Sequence, residues 1–156
     1  MIIRRMTKND IKAVHDIETN TFSVPWPEPS FHHELEKNPA ARYLVAVDDG
    51  GTVIAYAGAW MIFEEAHITN IAVREDCRGQ GIGKKLTEAL IQYAANLGVQ
   101  YMTLEVRKSN LAARNMYKAL GFEKLSVRKR YYPDNQEDAL LMVLQHMPDV
   151  EDDFSE

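Results

Sequence analysis

The chain has 156 residues, 18 Lys and Arg against 23 Asp and Glu, a formal net charge of −5 at pH 7, and one Cys. That length supports one domain with a real core. The single Cys excludes an internal disulfide, and no apolar run approaches membrane-spanning length.

The start, Met1-Ile2-Ile3-Arg4-Arg5, has no signal-peptide core, so a cytoplasmic protein without a membrane partner is expected. Asp149, Glu151, Asp152, Asp153 and Glu156 supply all the net negative charge, which leaves residues 1–148 neutral. A general polyanion binder would carry a basic excess there, so direct nucleic-acid binding is not expected.

In chain order, a strand is expected over Ile2–Arg5, and Thr7-x-x-Asp10 resembles a capping box opening a helix to about Asn20. Phe22–Pro29 reads as a proline-rich loop and Ser30–Lys37 as a short helix. Strands follow at Tyr43–Val47 and Thr52–Trp60, joined by the hairpin turn Asp48-Asp49-Gly50-Gly51. Glu64-Glu65 turns the chain into a strand over Ala66–Val73. Ile82, Leu86, Ala89, Leu90, Tyr93, Ala94 and Leu97 then recur at helical spacing, and Gly98 stands where a helix would stop.

Met102, Leu104 and Val106 alternate with Thr103, Glu105 and Arg107, which is a strand pattern. Ser109 is the expected N-cap of a helix carrying Ala113, Met116, Tyr117 and Leu120 on one stripe and ending at Gly121. That helix sets Asn110 and Tyr117 about 10 Å apart. Strands near Leu125–Tyr131 and Ala139–Gln145 flank a Pro133-Asp134-Asn135 turn. Residues 148–156 read as an acidic, disordered tail beyond a domain spanning 1–147. Arg128-Lys129-Arg130-Tyr131-Tyr132 could stack on nucleic acid, but one short cluster fits a sheet edge or loop better.

The segment that points to chemistry is Asn70-Ile71-Ala72-Val73-Arg74-Glu75-Asp76-Cys77-Arg78-Gly79-Gln80-Gly81-Ile82-Gly83-Lys84: strand, glycine-rich loop, first helical turn. Bare amides at a helix N-terminus attract anions, usually phosphate. A Walker A loop is excluded by the three-residue gap between Gly79 and Gly83-Lys84, and by Lys85 where Ser or Thr must stand. Neither Gly81-x-Gly83 nor Gly79-x-Gly81 is followed by the third glycine of a dinucleotide fingerprint. What remains is Arg78-x-x-Gly81-x-Gly83, which resembles the pyrophosphate loop of the GCN-five-related N-acetyltransferase (GNAT) superfamily. A plain strand-to-helix turn is the alternative reading of the loop alone.

Groups for nucleophilic or metal catalysis are missing. No Gly-x-Ser-x-Gly or His-Glu-x-x-His occurs, and His15, His32, His33, His67 and His146 lack ligand spacing, so they read as surface or packing residues and no metal is expected. Cys77 reads as an ordinary loop cysteine. Direct transfer from a thioester needs no protein nucleophile, only an acceptor for the amine proton and a donor for the departing thiolate. Glu105, opposite an apolar strand face, is either such a group in a cleft or a solvated glutamate. Tyr117, on an apolar helix stripe, is either a proton donor or a core tyrosine.

Taken together, Asn70-Ile71-Ala72-Val73, the Arg78–Lys84 loop, Leu104-Glu105-Val106-Arg107, Ser109-Asn110-x-x-Ala113, Tyr117-x-x-x-Gly121-Phe122 and Arg130-Tyr131-Tyr132-Pro133 resemble the RimI-type N-terminal acetyltransferases over about residues 1–146. Trp26 after Pro25 matches that family's loop between the first two helices. The resemblance implies a single-domain α+β (mixed α/β) GNAT fold: a central twisted, mostly antiparallel mixed sheet of six to seven strands flanked by about four helices. It implies acetyl-CoA as cosubstrate and, as acceptor, the N-terminal alanine of a small-subunit ribosomal protein.

By position, it makes Glu105 the proton acceptor and Tyr117 the proton donor. Ile71, Ala72 and Val73 would pair with pantetheine through their backbones. The loop Arg78-Gly79-Gln80-Gly81-Ile82-Gly83-Lys84 would hold the pyrophosphate, and Asn110 would contact CoA. Pro25, Trp26, Tyr131 and Tyr132 would line the peptide groove. The family often carries a second basic residue where this chain has Gly79-Gln80, which leaves more of the phosphate binding to backbone amides.

Acid–base balance favours an α-amine. With a pKa near ~7.8 it is about a tenth neutral at pH 7, against about one in 2,500 for a lysine, a gap of roughly 3.5 kcal/mol. A small-molecule amine or a protein lysine as acceptor, or a non-catalytic CoA-binding module, are the alternatives the sequence leaves open.

Overall fold

The structure is a computed structural model and describes residues 1–151. Its strands are β1 (Ile2–Arg5), β2 (Ala41–Val47), β3 (Val53–Ile62), β4 (Glu65–Val73), β5 (Tyr101–Arg107), β6 (Glu123–Arg128) and β7 (Ala139–Leu144). The helices are α1 (Ile11–Thr21), α2 (Glu28–Glu36), α3 (Ile82–Asn96) and α4 (Leu111–Ala119). One seven-stranded sheet runs in the order β1-β2-β3-β4-β5-β7-β6. Every neighbouring pair is antiparallel except β4 and β5, which α3 joins as a parallel crossover.

The two sheet faces are covered separately. Ile82, Leu86, Leu90, Tyr93 and Ala94 of α3 and Tyr117 of α4 share one core with Leu104, Val106, Leu140 and Met142 of the sheet. On the other face Ile11, Val14 and Ile17 of α1 and Phe31 of α2 pack against Tyr43, Val45 and Tyr56. Helical spacing thus delivers the expected face of α3, except that Leu97 lies beyond the helix and is exposed. Among the described residues no helix is long and apolar enough to cross a membrane.

Local differences from the expected elements have simple causes. The capping box at Thr7 forms, with the Thr7 amide donating to Asp10 Oδ2 at 2.7 Å, but it closes a 3-10 turn (Lys8–Asp10) that runs into α1. α2 starts two residues earlier than expected because Pro29 fits the first helical turn. Asn110, not Ser109, caps α4, its side-chain oxygen accepting from the Ala113 amide at 3.2 Å. The first residues of the acidic tail lie on α3: Gln92 donates to the Asp149 carbonyl at 2.8 Å, and the Glu151 amide donates to Asn96 Oδ1 at 3.0 Å. Residues 152–156 of that expected tail lie outside the described residues.

Two irregularities shape the middle of the sheet. β4 and β5 pair over only three positions, Glu65↔Tyr101, Ala66↔Met102 and His67↔Thr103, and then part. Across β4 the register with β3 jumps from Gly58↔Asn70 to Ala59↔Ile68, so Thr69 is the extra residue of a bulge. Gly58 also faces Tyr43 on β2, and the buried Tyr43 ring lies over it. That ring carries its hydroxyl to 3.1 Å from Glu34 Oε1 and 3.3 Å from Thr69 Oγ1.

A Cβ at position 58 would stand 2.2 Å from Tyr43 Cε2. Gly58→Ala is therefore expected to lower the unfolding free energy by about 1–3 kcal/mol, read as a lower urea midpoint. A loss below about 0.5 kcal/mol would show that the ring can swing aside and does not brace the bulge.

Candidate active site

Where β4 and β5 part, a cleft of about 1140 Å³ opens. Six consecutive residues of β4, Ile68 to Val73, line it, as do four of β5, Leu104 to Arg107. Alternate strand residues point to opposite faces, so consecutive lining means that the strand edges themselves are presented. The gap therefore passes through the sheet. Tyr117 reaches it from the α3–α4 side, packed with Leu104 and Val106, while Glu105 reaches it from the opposite face of β5.

At one end lies the glycine loop. Gly79 and Gly81 have φ of 79° and 78°, the left-handed region, and a Cβ at either would touch nothing. Conformation, not space, makes these positions glycine. Gly83 serves differently: it sits in the first turn of α3, where a Cβ would lie 3.5 Å from Val73 and 3.6 Å from Met116. The α3 N-cap, Gly81, makes no side-chain cap hydrogen bond and the first turn has no acidic residue, so the helix N-terminus faces the cleft with free amides and Lys84 beside them. Together with the open edge of β4, this fits a pyrophosphate carried on a long thin arm.

Arg78 folds back, its Nε donating to the Val73 carbonyl at 3.0 Å and its Nη2 to Thr21 Oγ1 at 3.2 Å. Among the expected backbone partners Val73 thus has its carbonyl already engaged. Ile71, Ala72, Val73, Arg78, Gly79, Gly81, Ile82, Gly83, Lys84 and Asn110 all line the cleft, and Gln80 does not.

Glu105 is largely enclosed. His67 Nε2 lies 2.7 Å from its Oε2 and Arg128 Nε 3.2 Å from its Oε1. The hydrogen bond from His67, helped by the Arg128 charge, holds this carboxyl below the ordinary glutamate range against the opposing effect of burial. Tyr117 is buried, edge-on to Phe122 at 5.7 Å, and burial pushes its hydroxyl up, so it keeps its proton. Tyr132, pushed up to about 12 by burial, lies within electrostatic reach of both.

Two loops complete the lining of the cleft. Phe22 to Val24 and Trp26 come from the α1–α2 loop, and Tyr132 to Asn135 from the β6–β7 loop. Ser23 Oγ donates to Asp134 Oδ2 at 2.5 Å across them. Arg107 holds the second loop through Asp134 at 3.0 Å and Glu137 at 3.3 Å, and its guanidinium lies over the Tyr132 ring at 3.9 Å. Beneath the first loop, buried Glu18 accepts from the Trp26 amide at 2.8 Å, from Asn70 Nδ2 at 3.3 Å and from the Tyr56 hydroxyl.

Of the expected groove residues, Trp26 and Tyr132 line the cleft, while Pro25 and Tyr131 do not. The Tyr131 and Tyr132 rings stand at 90° to one another, and Tyr131 is exposed in the loop after β6. His67 and Arg128 on Glu105, and Glu18 under Trp26, were not among the expected site residues.

With Glu105 ionised and Tyr117 protonated across the neutral range, neither limits the rate there. For a peptide with a free α-amine, kcat/KM should rise tenfold per pH unit up to about 7.8 and then stay level to about pH 10. A fall beginning below pH 9 would contradict Tyr117 as a held proton donor.

The model of the Acetyltransferase (GNAT) family matches residues 11–122. A relative from Escherichia coli (strain K12), the [ribosomal protein bS18]-alanine N-acetyltransferase, is 37% identical over 145 residues, covering 91% of this chain and 95% of its own. The crystal structure of the ribosomal-protein-S18-alanine N-acetyltransferase from Escherichia coli superposes with a TM-score of 0.85 at 32% identity, over 99% of each chain. A spermidine N-acetyltransferase chimera from Vibrio cholerae and hSSAT reaches a TM-score of 0.80 at 17% identity over 93% of this chain and 96% of its own, which shows a shared fold alone. The glycine loop, the parted strands and this family match together make the chain a member of the GNAT acetyltransferase family.

Proposed function

We propose that this protein acetylates the N-terminal α-amine, alanine first, of a small-subunit ribosomal protein in the cytoplasm, with acetyl-CoA as donor and both substrates bound together. The observation that carries the chemistry is one through-sheet gap with an ionised carboxylate on one side and a buried, protonated phenol on the other. Similarity to relatives named for bS18 alanine supports the acceptor, at an identity well above that of the polyamine-acetylating neighbour.

The amides of Gly79 to Lys84 would hold the pyrophosphate, and the open backbone edge of Ile71 and Ala72 the pantetheine. Asn110 lines the same cleft, but its side-chain oxygen is committed to capping α4, so its side-chain Nδ2 is the group left for CoA. In the transfer the amine nitrogen bonds to the acetyl carbon and the carbon–sulfur bond breaks. Glu105 takes the proton lost by nitrogen, and Tyr117 supplies the proton gained by sulfur. The loops carrying Trp26 and Tyr132 would admit an extended peptide end.

The test offers two peptides of the ribosomal-protein N-terminus, one with a free Ala α-amine and one blocked there but bearing lysines, and locates acetyl groups by mass spectrometry. Label on the free α-amine alone is expected; label on lysine, or on neither, would overturn the acceptor. Glu105→Gln and Tyr117→Phe should each lower kcat by about 10²–10⁴-fold with acetyl-CoA affinity nearly unchanged. Wild-type turnover in either variant would remove that residue from its role.

A further inference from the structure

His67 is the last β4 residue paired with β5, opposite Thr103, at the point where the strands part. Glu105 stands two residues beyond Thr103 and so on the same face. The imidazole bridges the two: Nε2 lies 2.7 Å from Glu105 Oε2 and Nδ1 2.8 Å from Thr103 Oγ1.

The chemistry of the partners orders this chain. A carboxylate only accepts, so His67 Nε2 carries the hydrogen towards Glu105, while Nδ1 and the Thr103 hydroxyl share a second hydrogen bond in which either can donate. The ring cannot flip without losing a hydrogen bond. Arg128 holds the other oxygen of Glu105 from the sheet edge, but its side chain is half exposed, whereas His67 is anchored between two strands.

We infer that His67 is a positioning residue for the transfer, a Thr103–His67–Glu105 chain fixing the carboxylate at the mouth of the gap. This rests on the reading of Glu105 as proton acceptor. His67 has no part in the glycine loop, so its influence falls on kcat and not on donor binding. A well-anchored donor behind a reacting group contributes roughly 10–100-fold.

The test is a double-mutant cycle on kcat, with KM for acetyl-CoA and melting temperature measured alongside. H67A should lose roughly 10–100-fold in kcat while KM for acetyl-CoA moves less than about twofold. H67Q, whose amide can still donate to Glu105, should recover most of the loss. In the E105Q background H67A should change kcat by less than about twofold, since its effect passes through the missing carboxylate.

T103V, which keeps the imidazole but removes its second hydrogen-bond partner, should show a smaller loss of the same kind, and it carries the test should H67A not fold. The inference is overturned if H67A or T103V turns over like wild type, if H67Q fails as badly as H67A, or if H67A costs the same factor with and without Glu105. Wild-type activity in E105Q alone would instead remove the reading of the site, and this inference with it.

Discussion

A parallel strand pair that stops pairing after three residues governs everything else in this molecule. β4 and β5 are joined through α3, which packs on one sheet face with its first turn, at Gly83, beside Val73 at the C-terminal end of β4. Once the ladder ends at His67 and Thr103, β4 has backbone groups without a strand partner among the described residues, and a ligand with amide groups of its own can take that place. The same parting makes a hole through the sheet. The Glu105 carboxyl from one strand face and the Tyr117 phenol from a helix on the other then share one cleft, which an intact sheet would keep apart.

The bulge at Thr69 and the buried polar cluster serve that arrangement. Glu18 and Glu34 are both nearly inaccessible, and the hydrogen bonds they accept come from neutral groups: the Trp26 amide, Asn70, Tyr43, Tyr56, Trp60 and Asn38. These bonds tie α1, α2 and the loop between them to the bulged middle of β4. Buried polar groups are tolerable inside only when hydrogen-bonded, so the cluster ties loop position to strand position. On the opposite side Arg107 does comparable work for the β6–β7 loop, and the Ser23–Asp134 bond joins the two loops over the groove.

Much of this could be read from the residues because it is local. Period-3.6 spacing marks α3, period-2 alternation turns Glu105 away from the core, and glycines at 79 and 81 mark a loop that must turn through positive φ. The parts that could not be read depend on register. His67 looks like any isolated histidine until parallel pairing sets it opposite Thr103. Arg128 belongs to a basic run whose meaning changes once β6 lies beside β7 and reaches Glu105. The Ser109 and Asn110 caps differ by one residue, which only backbone geometry decides. Tyr131 and Pro25 were expected in the groove from the family resemblance, and it is their neighbours Tyr132 and Trp26 that line the cleft.

In the proposed reaction donor and acceptor meet through the gap between β4 and β5. A conjugate joining CoA through an acetyl linker to the α-nitrogen of an alanine-led peptide, crystallised with the protein, tests this most directly. Pantetheine is expected along the open edge of Ile71 and Ala72, the α-nitrogen on the Glu105 side, the sulfur on the Tyr117 side, and the peptide between the Trp26 and Tyr132 loops. A conjugate lying wholly on one sheet face, or entering the cleft away from Glu105, would contradict it.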